Sequence, residues 1–150
     1  MTPTRTAALA AVGLALALPA AGCGDGSSSQ FKEDYNQAVK PLSRLKDIGG
    51  SIGGAAGQTN QQLAKELERL ANRAAQTRKN LSHLEAPDDA EEEFQSLKDA
   101  LGDTIHDLRG FAAAAKEGDP AEANKASKRL VASGTEVQQA EEELRRAVNG

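Results

Sequence analysis

Residues 87–120 read PDDAEEEFQSLKDALGDTIHDLRGFAAAAKEGDP. The apolar positions are Ala90, Phe94, Leu97, Leu101, Ile105, Leu108, Phe111 and Ala115, and every step between them is three or four residues. That period lays every apolar side chain along one stripe of an α-helix. A strand would alternate with period two. The ends are punctuated in the same sense. Acidic residues crowd Asp88 to Glu93, where the helix dipole favours negative charge. At the other end stands Gly118-Asp119-Pro120. Glycine suits a left-handed C-terminal cap, aspartate an N-cap, and proline the first position of the next helix. The segment therefore reads as one long helix followed at once by another.

The same spacing extends in both directions. Upstream it gives Leu63, Leu67, Leu70, Ala74, Thr77, Leu81 and Leu84, opened by a Thr59/Gln62 capping box and stopped by Pro87, with Asp88 and Glu91 capping the helix that follows. Further upstream it gives Phe31, Tyr35, Ala38, Leu42, Leu45, Gly49, Ile52 and Ala56. Downstream it gives Ala123, Ala126, Leu130, Ser133, Val137, Ala140, Leu144 and Ala147. Four segments of similar length with short connections predict an all-α, up-down-up-down four-helix bundle. The alternative is a three-helix bundle with residues 31–57 irregular. Pro41, inside the first segment, should kink that helix or split it.

Ahead of the bundle, Met1–Thr6 carries one charge, Arg5, and Ala7–Leu18 is uncharged and mostly apolar. That run is shorter than the roughly 20 residues a membrane span needs, and it reads as a secretory signal. Pro19 and the small residues Ala20, Ala21 and Gly22 lead to Cys23, the one cysteine of the chain. A lone cysteine has no partner for an internal disulfide. Ala20-Ala21-Gly22-Cys23 resembles the lipobox of bacterial lipoproteins, with alanine at position 20 where that family usually has leucine. The resemblance covers the first 23 residues. It implies cleavage before Cys23, a lipid on its thiol, and attachment to the extracytoplasmic side of a cell membrane. The Ala/Gly/Asp/Arg-rich remainder is similar in composition to small helical lipoproteins of high-GC bacteria.

The expected organisation is therefore a leader over 1–22, a lipidated N-terminus and flexible linker over 23–30, and a helical domain over 31–150. The whole chain has 18 basic and 22 acidic residues. Losing Arg5 with the leader takes the net charge from −4 to −5. Three Phe and one Tyr are scattered and Trp is absent, so no basic stripe with stacking aromatics marks a nucleic-acid surface.

The glycines of the uncharged stretch 48–57, namely Gly49, Gly50, Gly53, Gly54 and Gly57, recur at helical spacing. They read either as a hinge, since each glycine weakens a helix by about 1 kcal/mol relative to alanine, or as a close-contact surface for a partner helix or a membrane. His83 and His106 are the two imidazoles, and Asp103 precedes His106 by three. Di-iron bundles take a Glu-x-x-His from each of two helices, together with further glutamates, a set these residues do not supply. No hydrolase or zinc-protease motif occurs. The expectation is a non-catalytic binding or structural module without a cofactor, with an unidentified protein partner or self-association. A carrier that holds an apolar ligand within the bundle is the alternative.

Overall fold

The computed structural model describes residues 26–43 and 59–149. Four α-helices account for nearly all of them: α1 (Gly26–Ser43), α2 (Asn60–Leu81), α3 (Glu91–Glu117) and α4 (Pro120–Asn149). They form an all-α four-helix bundle. Among the described residues, α3 packs most extensively on α4 and on α2, and α1 packs chiefly on α2.

The α3–α4 hairpin follows from three residues. Gly118 takes φ +71°, the left-handed conformation that ends α3. The Gly118 N–H donates to the Ala115 carbonyl and the Asp119 N–H to that of Ala114, each at 3.2 Å. These are the paired bonds of a Schellman end. Asp119 Oδ1 then accepts from the N–H groups of Ala121 and Glu122 at 2.9 and 3.1 Å, and Pro120 opens α4.

Thr59 caps α2 with the expected reciprocal box. Its Oγ1 accepts from the Gln62 N–H at 3.3 Å, and its own N–H donates to Gln62 Oε1 at 2.9 Å. A Cβ placed on Gly118 would lie 3.5 Å from Asn60 Nδ2. The start of α2 and the α3–α4 turn therefore share one end of the bundle.

The opposite end departs from the sequence expectation in two places. Helix α2 stops at Leu81, six residues before Pro87. The chain tightens there through Ser82 Oγ donating to the Lys79 carbonyl at 2.7 Å and through short-range bonds from His83 and Leu84. Asp88 makes no capping bond to α3. Instead Asp88–Ala90 form a single 3₁₀ turn, held by the Ala90 N–H on the Pro87 carbonyl at 2.8 Å.

A third departure concerns the linker over 23–30. Helix α1 begins at Gly26 and passes through the serines. Its first turns are drawn into helical register by buried Phe31 and by the Gln30–Asp34 side-chain bond at 3.0 Å. Pro41 lies in the last turn of α1, which ends at Ser43, and the continuation of the first segment beyond it lies outside the described residues.

Two buried clusters fill the interior. The larger joins all four helices: Phe31, Tyr35 and Leu42 from α1 meet Leu81, Phe94, Leu97, Leu101 and Leu144. Phe94 is fully buried, with the Phe31 ring edge-on at 5.2 Å. The smaller cluster holds Leu67, Ala71, Leu108, Phe111, Ala112 and Ala126, drawn from α2, α3 and α4. Every position of the apolar stripe in α3 is buried.

Candidate functional site

The interior is closed by apolar side chains, so the chemistry of the described residues lies mainly on the surface. Its strongest concentration is a half-open cleft of about 620 Å³ between α2 and α3. Helix α2 brings Arg78 and Lys79 to it, and α3 brings Lys98, His106 and Arg109. Its floor is Ala75, Gly102 and buried Ile105. No acidic side chain lines it, although the chain carries more acids than bases.

Helical spacing produces this convergence. Residues 75, 78, 79 and 82 recur at the i, i+3, i+4, i+7 intervals that keep one face of α2 together, and 95, 98, 102, 106 and 109 do the same on α3. Each set flanks the buried stripe of its own helix. Packing the two stripes together turns the flanks toward one another.

Arg78 is held in place. Its Nε donates to the Lys98 carbonyl at 2.8 Å, tying the end of α2 to the first turns of α3. The guanidinium lies over Gly102: a Cβ there would stand in van der Waals contact with it, 3.4 Å from Nε and 3.5 Å from Cζ. On the rim, Asp99 lies 3.8 Å from Arg78 Nη2 and also accepts from Gln95 Nε2 at 3.1 Å. Lys98 Nζ sits 4.5 Å above the Phe94 ring. The side chains of Lys79, His106 and Arg109 have no hydrogen-bond or ion-pair partner among the described residues.

The α3/α4 seam is arranged differently. There Arg129 Nε meets Asp107 Oδ1 at 3.7 Å, and that carboxylate is largely buried. The α3/α4 seam sets its cation against a largely buried acid; the α2/α3 cleft sets Asp99 beside Arg78 on an exposed rim and leaves Lys79 and Arg109 without an acidic partner among the described residues.

A second polar feature lies in the core. The Tyr35 hydroxyl and Thr77 Oγ1 are buried without a hydrogen-bond partner among the described residues. Burial, and then the negative charge of nearby Glu141, push the Tyr35 phenol well above its ordinary range.

Cys23 and the glycines Gly49, Gly50, Gly53, Gly54 and Gly57 lie outside the described residues. His83 is exposed in the turn after α2, and His106 is exposed on the cleft wall. Among the described residues no group of three or more His, Cys, Asp or Glu side chains is placed to hold a metal ion. No described helix is long and apolar enough to cross a membrane. The cleft is the element that linear reading missed. Its signal was present as two basic flanks beside two heptad stripes, and it becomes visible once α2 and α3 are set side by side. No protein-family model, curated protein or solved structure matches this chain.

Proposed function

We propose that the chain is a lipid-anchored extracytoplasmic lipoprotein whose helical bundle is a non-catalytic binding module. The observation that carries the anchor is Cys23 itself, the single cysteine, set behind an apolar leader and three small residues. Helix α1 begins at Gly26, three residues after it. Three residues span at most about 11 Å, so such a lipid would hold the bundle close to its membrane.

Binding through the outside of the bundle is favoured by where the open space lies. The clusters around Phe94 and Phe111 occupy the interior with apolar side chains, while the cleft between α2 and α3 is open and lined by cations. An apolar cargo held within the bundle would have to displace that packing.

Expression of the full chain in a bacterial host, followed by fractionation and mass spectrometry of the mature N-terminus, tests the anchor. The expected product starts at Cys23, carries the mass of a diacylglyceryl group and sediments with membranes, whereas Cys23→Ser is released. A mature chain that begins elsewhere, or an unmodified Cys23, would overturn the reading.

A further inference from the structure

We infer that the α2/α3 cleft is a binding site for a small multivalent oxyanion, a phosphate-bearing molecule, with Arg78 and Arg109 as its main anchors. The inference rests on reading the bundle as a binding module and names the ligand class of its cleft.

Charge is the first argument. Four basic side chains line a cleft in a chain of net negative charge, and the acid beside them, Asp99, stands exposed on the rim 3.8 Å from Arg78 Nη2. Like charges gathered in one concavity repel each other and raise the local concentration of anions. Preorganisation is the second. Arg78 Nε is held by the Lys98 carbonyl and Asp99 stands 3.8 Å from Nη2, so the guanidinium has already lost part of its freedom before it meets an oxyanion. The planar fork of arginine matches phosphate oxygens in pairs. Arg109 has no partner of its own to give up.

Size and shape limit the occupant. About 620 Å³ falls within the range of small-molecule sites. Lys98 and Arg109 are eleven residues apart, about 16 Å along the helix, so charges separated by several bonds can be met together. Ala75 and Ile105 offer a narrow apolar floor for whatever joins them.

A flat anionic membrane fits less well. The cleft runs along the side of the bundle, and the end where α3 begins carries Asp88, Asp89, Glu91, Glu92 and Glu93, which repel such a surface.

The test uses the full-length Cys23→Ser chain, so lipidation does not enter it. Inorganic tripolyphosphate is titrated by calorimetry and by amide chemical shifts at low and at physiological salt. Saturable binding is expected, with shifts centred on Arg78, Gly102 and His106. Arg109→Gln removes an exposed group with no partner in the fold, and should weaken binding about tenfold. Lys128→Gln, an exposed cation on α4, should leave it unchanged. Vesicles of anionic phospholipid and a deca-glutamate peptide serve as competing probes, and neither should displace tripolyphosphate at matched charge. Absence of saturable binding would overturn the proposal, as would equal weakening by Arg109→Gln and Lys128→Gln, or displacement by vesicles or peptide. None of these outcomes bears on the anchor, which is judged by the N-terminal mass and the fractionation alone.

Discussion

The two halves of this bundle bury different kinds of side chain. Toward the start of α3, aromatic rings from two helices interlock: Phe31 meets Phe94 edge-on at 5.2 Å and Tyr35 at 6.0 Å. Toward the α3–α4 turn, among the described residues, three helices meet over Ala71, Ala112 and Ala126, with Leu67, Leu108 and Phe111 as the larger members. Large rings fill space between helices held apart. Alanines let backbones approach, and each contributes little buried area. One half is thus specified by shape and the other by closeness, and they should respond differently to the same kind of damage.

The largest expected effect is at Phe94. Phe94→Ala should destabilise the chain by about 3–5 kcal/mol, the usual cost of emptying a buried aromatic site, because the ring is fully buried and supports both Phe31 and Lys98 Nζ. Urea unfolding followed by far-UV circular dichroism reads it. Leu67→Ala in the alanine-rich half should cost less, about 2–3 kcal/mol, since close-set helices can relax into a smaller gap. The double variant sharpens the contrast. Separate clusters should give additive losses within about 0.5 kcal/mol. A strong coupling between the two sites would mean a single continuous core and would break the comparison.

The aromatic half was legible in the sequence because heptad spacing is a one-dimensional signal. Phe31, Tyr35, Ala38 and Leu42, and the whole α3 stripe, are buried as their spacing requires. Ala64 and Ala71 are buried although they lie off that stripe. Their burial is set by how closely neighbouring helices pack, which spacing alone does not encode. The end of α2 was misplaced for a related reason. Pro87 is a visible stop, whereas Leu81 ends the helix through a tightened turn and Ser82 Oγ, signals that are weak in sequence. The cleft required knowing which two flanks face each other. Its residues were read one helix at a time, so His106 stood out only as one of two imidazoles, three residues after Asp103, and Arg109 was not singled out.

A smaller effect probes the turn that closes the alanine-rich half. Asp119→Ala removes the acceptor for the Ala121 and Glu122 N–H groups. It should cost about 1 kcal/mol, the usual value of an N-cap, with faster amide exchange confined to the first turn of α4. Pro120 supplies no N–H, and Gly118 holds its left-handed turn independently, so the hairpin should stay closed. Loss of protection spreading to Leu67 and Leu108 would show that this cap organises the whole half.

The smallest effect at neutral pH, and the one of opposite sign, is expected at Tyr35 in the aromatic half. Its hydroxyl is buried without a partner among the described residues, so Tyr35→Phe removes an unsatisfied group while keeping the ring. Such a replacement is nearly neutral or stabilising, by up to about 1 kcal/mol. The consequence for pH is larger. Burial and then Glu141 hold the native phenol protonated beyond its ordinary range, whereas the unfolded chain releases that proton near pH 10. Above that point the unfolded state binds fewer protons than the native one, so stability falls as pH rises; below it the contribution is fully present. The chain has one tyrosine and no tryptophan, so phenolate absorbance reads this group alone. It should appear together with the loss of circular dichroism on alkaline titration, and Tyr35→Phe should flatten the alkaline fall in stability. A phenolate signal near pH 10 in a chain that is still folded would place the ring in contact with water, and the aromatic half would then be no better sealed than the alanine-rich one.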